Sequence, residues 1–259
     1  MDGGTVIFEQ QGGIARLTLN RPDQGNGLDL DLARALLAAA IRCDQDAAIR
    51  CVVLTGAGRM FCVGGDIDGF QSADDAGVYL SELAGLMNLA VSRLARMAKP
   101  LVVLVNGPAA GAGLSLAIAG DVVLADPGAH FTSAYTAIGL VPDCGLTWLL
   151  PRLIGLRRAQ EMILTNRRLS AGEAAAIGLI TRTAADLAEE GRALAEAMAA
   201  APVAALGAAR RLLLESYAAT IETQSELETR AIAAAAMGAE GREGVAAFLA
   251  KRRPDFTAC

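Results

Sequence analysis

One acidic residue stands alone in an apolar segment. Residues 139–151 read GLVPDCGLTWLLP, and Asp143 is the only charged residue among them. Apolar surroundings make a carboxylate a stronger base, because desolvation disfavours its charged form. Such a group can take a proton from one carbon and return it to another. From the local sequence alone, however, a helix N-cap or a Pro-Asp-x-Gly turn before LTWLLP is the simpler interpretation.

Two glycine-rich segments could supply an electrostatic partner for this base. GRMFCVGGD spans residues 58–66 and NGPAAGAGLS spans residues 106–115. Small residues let backbone N–H groups approach a ligand closely, and the first N–H groups of a helix have no partner within it. One N–H from each turn, directed at a single oxygen, would form an oxyanion hole for an enolate. Either turn taken alone is more typical of tight packing between a strand and a helix.

The elements that must position these residues alternate between strand and helix. TVIFEQ and IARLTLN flank Gln11, Gly12 and Gly13 and predict an N-terminal hairpin. The spacing of apolar residues predicts the elements that follow. In chain order these are a helix over 28–46, a strand at 50–56, a helix over 77–97, a strand at 101–106, a helix opening near Gly111 and a strand at 121–125.

The last quarter of the chain is Ala-rich and helical. Ser170 and Glu173 have the spacing of a capping box, and from Asp186 onward the pattern is almost wholly helical, with Pro202 at a joint. This part has too few large side chains to form a core of its own. We therefore expect its helices to lie against the main domain or another subunit.

Composition narrows the classes of function. The chain has 259 residues, is 53% hydrophobic and carries a net charge of -5, which argues against a nucleic-acid partner. Five cysteines without CxxC spacing predict reduced thiols in a cytoplasmic protein, and MDGGTVIFEQ predicts no secretory signal. The apolar run 101–120 is interrupted at Asn106, Gly107 and Pro108, so we expect it to fold into the domain and not into a membrane. The sequence shows no cluster of residues typical of metal ligands, so we predict no metal site.

Three motifs taken together resemble a known superfamily. FCVGGDI, NGPAAGAGLSLA and GLVPDCGLTWLLPRLIG match, in order and spacing, the crotonase (enoyl-CoA hydratase/isomerase) superfamily. The stretch PDCGLTWLLPR is most similar to the ring 1,2-epoxyphenylacetyl-CoA isomerase group of the phenylacetate pathway. The resemblance implies an α/β fold. It places a ββα spiral over residues 1–198, with the coenzyme A site and active site, and a helical trimerisation region over residues 199–259. A homotrimer or a dimer of trimers is expected.

The resemblance also assigns roles to individual residues. Gly65 and Ala112 would supply the two oxyanion-hole N–H groups, although glycine is the more familiar residue at position 112. Asp143 would be the catalytic acid–base group. The residues that would bind coenzyme A are Val63, through its carbonyl, and Asp66, Gln24 and Lys251. The residues that would line the substrate pocket are Tyr135, Ser115 and Gly111. Coenzyme A would enter as part of the substrate, with no separate cofactor.

Two departures from the family pattern bear on the chemistry. Hydratases of the superfamily carry two glutamates that activate water, and here Ser115 and Tyr135 stand in their places. Neither is a carboxylate base, which argues against hydration. One aspartate suffices to shuttle a proton within an acyl thioester. We therefore predict an acyl-CoA isomerase that shifts a double bond or rearranges an epoxide.

Three alternatives remain open at this point. A hydratase-like enzyme would need another way to activate water. A dehalogenase-like enzyme would use Asp143 as a nucleophile and would need a histidine on the preceding helix, but His130 is the only histidine in the chain. We interpret His130 as structural, because no GxSxG motif accompanies it. A non-catalytic acyl-CoA-binding protein is the third alternative, and the sequence leaves the acyl group unspecified.

Overall fold

A computed structural model describes residues 4–259, so residues 1–3 of the predicted core segment lie outside it. The described chain alternates strands with helices, and the predicted α/β class is confirmed. The strands are β1 Val6–Gln11, β2 Ile14–Leu19, β3 Cys51–Gly56, β4 Leu101–Val105, β5 Ala109–Ala110, β6 Val122–Ala125, β7 His130–Thr132, β8 Leu169–Ser170 and β9 Arg182–Thr183. The helices are α1 Leu30–Gln45, α2 Ile67–Gln71, α3 Ala76–Arg96, α4 Ala112–Ala117, α5 Leu146–Ile154, α6 Leu156–Thr165, α7 Ala171–Ala176, α8 Leu187–Ala200, α9 Val203–Glu215, α10 Ile221–Met237 and α11 Ala239–Leu249.

Two sheets form the scaffold. The larger has the strand order β1-β2-β3-β4-β6-β9, and the smaller has the order β5-β7-β8. β1 and β2 pair antiparallel around Gly12 and Gly13, which confirms the predicted hairpin. β2, β3, β4, β6 and β9 pair parallel. Parallel strands need crossover connections, and α1 and α3 provide the first two of them.

The central strands are buried on both faces, as their continuous apolar sequences predict. Val52 and Leu54 of β3 face a large core that includes buried residues of α1, α3, α4 and α5. Cys51 and Val53 face the opposite way, toward a smaller core that includes Ala195 of α8. This alternation follows from the two-residue period of a strand. The scaffold that carries the turns after β3 and β4 is therefore covered on both sides.

Local signals predicted the helix boundaries well. Asp29 is the N-cap of α1 and accepts a hydrogen bond from the Leu32 N–H. Ser170 and Glu173 form the predicted capping box at the start of α7. Pro202 is the N-cap of α9, which confirms the predicted joint. The predicted domain boundary after residue 198 falls within the last turn of α8, and the division into two domains stays a prediction.

The apolar run 101–120 is divided among β4, β5 and α4, with the predicted breakers between β4 and β5. Within residues 4–259, no single helix has the length and hydropathy to cross a bilayer. α8 and α9 meet that criterion only as a pair, and they are bent by 102° at their junction.

The C-terminal helices present apolar side chains to solvent. α10 buries none of its residues, and α11 buries only Ala247. Met237 is 75% exposed and Phe248 is 82% exposed. The expectation that this region has no core of its own is thus met within the chain.

The turns after β3 and β4 are in backbone contact. β3 and β4 are adjacent and parallel, so their carboxyl ends lie at the same edge of the sheet. The Ala110 N–H donates to the Cys62 carbonyl at 2.9 Å. A Cβ added at Gly113 would lie 2.8 Å from the Cβ of Cys62 and closer still to its carbonyl oxygen. Glycine at position 113 is therefore required for the two turns to approach this closely.

We predict that Gly113→Ala lowers the free energy of unfolding by about 1–3 kcal/mol, because an extra methyl group must displace backbone atoms. Gly85→Ala is the matched control, since Gly85 is also helical and an added Cβ there meets nothing within 4 Å. That change should stabilise the protein by up to about 1 kcal/mol through helix propensity. Urea unfolding measures both values, and equal effects of the two substitutions would contradict the close packing.

Candidate active site

A buried asparagine shapes the first glycine-rich turn. Asn26 is fully buried, and its side-chain amide donates to the carbonyls of Ala57, Met60 and Phe61 at 2.8–3.1 Å. Its side-chain oxygen accepts from the N–H of Arg21 at 2.9 Å. These bonds satisfy carbonyls that have no strand to pair with. Asn26 was not predicted as a site residue, although the Asn-Gly dipeptide at 26–27 is a turn signal.

An ion pair closes the end of the same turn. The Arg21 guanidinium lies 2.8 Å from the carboxylate of Asp66 and 3.1 Å from that of Asp29. Asp66 is also the N-cap of α2, where it accepts from the Gly69 N–H. The carboxylate of Asp66 therefore holds the end of the turn, and its predicted role toward coenzyme A stays a prediction. Arg21 was not predicted, and its place in LTLNRP was the available signal.

The two candidate oxyanion-hole N–H groups are free. Leu28 donates to the Gly64 carbonyl and accepts from the Asp66 N–H, which is the pattern of a parallel bridge that leaves the Gly65 N–H on the opposite side. Ala112 is the first residue of α4, so its N–H has no partner within the helix. Across residues 4–259, neither N–H makes a hydrogen bond.

These two segments lie against each other. Gly64 has a φ of +99°, and a Cβ there would lie 3.4 Å from the Ala112 nitrogen. Gly111 has a φ of +54°, and a Cβ there would lie 3.5 Å from the Cα of Gly64. Positive φ at both positions favours glycine. The geometry thus places Gly111 and Ala112 against Gly64, the residue before Gly65, and the oxyanion-hole roles stay a prediction.

Asp143 lies on the loop before α5, and its side chain is not a helix cap. The N-cap position of α5 is Gly145, with a φ of +76°. The backbone carbonyl of Asp143 accepts from the Leu146 N–H at 3.0 Å and from the Ser115 hydroxyl at 3.3 Å. The carboxylate of Asp143 accepts a hydrogen bond from the hydroxyl of Tyr135. The turn interpretation therefore holds for the backbone of Asp143, whereas its side chain is available for another role.

The residues at the two expected glutamate positions both contact Asp143. Ser115 is 2% exposed and projects from α4, three residues after Ala112. That separation is about one turn of helix, or ~5 Å. Tyr135 is half-buried, and burial together with the Asp143 charge raises the pKa of its phenol. Ser115, Tyr135 and Asp143 therefore form one cluster beside the oxyanion-hole candidate Ala112.

The cysteines near this cluster are buried thiols. Burial raises the pKa of Cys62 to about 12, and burial and the Asp143 charge raise the pKa of the Cys144 thiol. Thiols in this state are poor nucleophiles at neutral pH. All five cysteines are free, and Cys259 is exposed. The prediction of inert, reduced thiols agrees with this arrangement at Cys62 and Cys144.

The predicted coenzyme A residues divide into two groups. Val63 is 38% exposed beside the Gln24–Gly25 turn, and the Val63 N–H donates to the Gly25 carbonyl at 3.0 Å. Gln24 is exposed next to it. Lys251 is exposed beyond the end of α11, and within the described chain its side chain makes no hydrogen bond or ion pair. The structure thus brings Val63 and Gln24 together at the first turn, and the coenzyme A role of Lys251 stays a prediction.

His130 lies on β7, and Arg168 approaches its Nδ1 at 2.9 Å. Burial and the Arg168 charge lower the pKa of His130, so the imidazole is neutral at pH 7. Its contacts agree with a structural role. No three or more His, Cys, Asp or Glu side chains of residues 4–259 are arranged to hold a metal ion.

A cavity of about 760 Å³ adjoins the cluster between α3, α5 and α9. Ser115 and Cys144 line it, but the Gly65 and Ala112 backbone and Tyr135 do not. At its rim, Trp148 and Tyr217 pack edge to face with centroids 5.3 Å apart, and the Arg152 guanidinium lies 4.2 Å from the Trp148 ring. The cavity therefore reaches the Asp143 cluster at Ser115 but is not lined by the two candidate oxyanion-hole residues.

Comparisons with known proteins identify the family of this chain. The family model of enoyl-CoA hydratase/isomerase matches residues 9–258. The chain is 39% identical to the 1,2-epoxyphenylacetyl-CoA isomerase of Escherichia coli (strain K12), covering 97% of this chain and 98% of that one. It is 40% identical to a protein of Rhodobacter capsulatus named "Probable enoyl-CoA hydratase", covering 98% of each.

A crystal structure gives the same result for the fold. The enoyl-CoA hydratase from Polaromonas sp. JS666 superposes with a TM-score of 0.93 at 31% identity, covering 97% of this chain and 99% of that one. The crotonase-like fold implied by the three motifs is therefore confirmed. The match of residues 9–258 to the family model, with the identity and the fold shared over nearly the whole chain, shows that the chain belongs to the enoyl-CoA hydratase/isomerase family of enzymes.

Proposed function

We propose that this enzyme is an acyl-CoA isomerase in which Asp143 shuttles a proton and the N–H groups of Gly65 and Ala112 bind the thioester oxygen. The observation that supports this most directly is the composition of the cluster. Asp143 is its only carboxylate, and the two residues that contact it from the glutamate positions are Ser115 and Tyr135. A single acid–base group fits proton relocation within one substrate.

The proposed reaction balances without a second reactant. The Asp143 carboxylate takes a proton from a carbon of the acyl chain, and the electron pair moves through the conjugated system to the thioester oxygen. The two N–H groups donate to this enolate oxygen. Protonated Asp143 then returns the proton to another carbon as the thioester carbonyl re-forms. The net change is the position of one double bond.

An epoxide rearrangement is the second form of this proposal. The 39% identity to a 1,2-epoxyphenylacetyl-CoA isomerase favours testing an aromatic epoxide thioester alongside enoyl thioesters. The same oxyanion hole and the same carboxylate would serve both substrates. The rates measured with these two kinds of thioester will identify the preferred acyl group.

The alternatives are supported less well by the cluster. Hydration requires a base for water, and no second carboxylate contacts Asp143 in residues 4–259. A dehalogenase-like attack by Asp143 would need a histidine on α3, and α3 contains none. A non-catalytic binding protein would use the two N–H groups to hold the thioester oxygen but would have no use for a base. Isomerisation uses both N–H groups and the Asp143 carboxylate.

We assign coenzyme A to the surface beside the first turn. The Val63 carbonyl and Gln24 would bind the adenosine end, Asp66 would hold the turn through Arg21, and Lys251 would meet a phosphate. The Lys251 contact would come from the same subunit or from a neighbouring one. Coenzyme A is part of the substrate in this proposal, and no separate cofactor takes part.

We propose further that the protein assembles as a homotrimer or a dimer of trimers in the cytoplasm. The exposed apolar residues of α10 and α11 support association, because apolar surface of this kind is stabilised by burial.

We predict a sedimentation mass of three or six times the 26.6 kDa chain. Phe248→Asp on α11 should shift the distribution toward smaller species, because it places a charge in an apolar interface. Val78→Asp on α3 changes a similarly exposed apolar residue and should leave the mass unchanged. A stable monomer at micromolar concentration would contradict the assembly.

We predict that Asp143→Asn lowers kcat for isomerisation of a cis-3-enoyl-CoA at least about 100-fold, since it removes the base but preserves its size. Product separation by chromatography measures the rate, and circular dichroism checks the fold. Asp74→Asn is the matched control, because Asp74 is exposed and makes no hydrogen bond in the described structure. Turnover by folded Asp143→Asn at the unmutated rate would refute the proton shuttle.

The oxyanion hole is tested by removing one N–H. Ala112 is the first residue of α4, a position where proline is tolerated because its missing N–H has no helical partner. Ala112→Pro should therefore lower kcat about 100–1000-fold while the protein stays folded. Ala112→Gly keeps the N–H and should stay within a few-fold of the unmutated enzyme. Similar rates for the proline and glycine variants would show that this N–H is not used.

A further inference from the structure

The hydrogen bond from Tyr135 to Asp143 has a function of its own. We propose that Tyr135 is a positioning residue that fixes the Asp143 carboxylate and sets the pH at which it becomes an active base. The hydroxyl of Tyr135 donates to Oδ1 of Asp143, which leaves Oδ2 as the oxygen that exchanges a proton with the substrate. This inference rests on the proposed role of Asp143 as the proton shuttle.

The backbone around Tyr135 is tightly held. Ala134 has a φ of +60°, and the Tyr135 N–H donates to the Ser133 carbonyl at 2.8 Å. The Tyr135 carbonyl accepts from the N–H groups of Ile138 and Leu140 at 3.1 and 3.0 Å. These bonds close a turn on both sides of the tyrosine. The ring therefore leaves the backbone in a fixed direction, toward a carboxylate eight residues later in the chain.

A second set of contacts ties this turn to α6. The Thr136 hydroxyl donates to the Ile163 carbonyl at 2.8 Å and accepts from the Asn166 side chain at 2.7 Å. Asn166 is the C-cap of α6 and has a φ of +53°. The tyrosine is thus anchored to a helix that is separate from the Asp143 loop. A donor fixed independently of its acceptor can orient that acceptor.

Tyr135 is also the group that bears most directly on the charge of Asp143. The titratable groups that face Asp143 are Tyr135 across the turn, Cys144 on the same loop and Cys62 behind Cys144. All three are neutral at pH 7, and Asp143 has no ion pair in residues 4–259. A hydrogen bond to a carboxylate favours its ionised form. Tyr135 is therefore the side-chain donor through which the structure acts on the Asp143 carboxylate.

The test is the pH dependence of kcat/KM in Tyr135→Phe, which removes the hydroxyl and keeps the ring. The base must be ionised to act, so loss of a bond that favours ionisation should move the acidic limb of the profile to higher pH. We expect a shift of about one to two pH units, the usual size for a hydrogen bond to a charged group. On the alkaline side of the shifted limb, kcat should still be lower than in the unmutated enzyme, because the carboxylate has lost its fixed orientation.

Ser115→Ala is the matched control. Ser115 donates to the backbone carbonyl of Asp143 and not to its carboxylate, so this variant should keep the acidic limb in place whatever its rate. An unchanged acidic limb in Tyr135→Phe, or an equal shift in Ser115→Ala, would overturn the inference.

A readout that does not depend on activity separates this inference from the proposed function. In protein labelled with ¹³C at aspartate carboxyl groups, the Asp143 signal is identified by its loss in Asp143→Asn. Its titration midpoint should rise in Tyr135→Phe by the same amount as the acidic limb. A rise in the midpoint without isomerase activity in the unmutated protein would sink the proposed function but support the Tyr135–Asp143 pairing. A midpoint that stays in place would refute the pairing itself.

Discussion

The backbones of two turns touch at the carboxyl ends of neighbouring parallel strands, and the candidate active site depends on this contact. The Cys62 carbonyl lies against Gly113, and Gly64 lies against the Ala112 nitrogen. Side chains at these glycines would separate the turns. Because the contact uses backbone atoms, it leaves the N–H groups of Gly65 and Ala112 without a hydrogen-bond partner in residues 4–259. An unpaired N–H at the 6% exposed Ala112 is costly, and a ligand oxygen would satisfy it.

The loop that carries Asp143 is attached to helix α4, which begins at Ala112. Ser115 follows Ala112 on α4 and donates to the Asp143 loop, so one short helix links the backbone donors to the carboxylate. Only neutral side chains contact Asp143 in the described chain. Such an arrangement favours reversible proton transfer, because no fixed cation competes for the carboxylate. It differs from an arrangement of paired carboxylates, in which a second acid would activate water.

The C-terminal helices bury far fewer side chains within the chain than the elements of the core do. α8 packs Ala195 and Ala199 against the sheet, whereas α10 buries nothing within the chain. Alanine-rich helices form readily but bury little apolar area alone. The stability of α10 and α11 therefore depends on their contacts with α9 or on burial against another subunit. Lys251 follows α11, so its proposed contact with coenzyme A depends on how these helices pack in the proposed assembly.

The sequence by itself determined the hairpin, the central strands, the helix caps and the family, because each depends on a local period, on a cap within three residues or on motifs read in order. It also placed Gly65, Ala112, Ser115 and Asp143 in one expected site. Only the tertiary structure decided that the Asp143 side chain meets Tyr135 instead of capping α5, and that Arg21 and Asn26 hold the first turn. These contacts join residues from different turns and strands. Side-chain direction at such positions is set by packing between elements, which no local pattern in the sequence specifies.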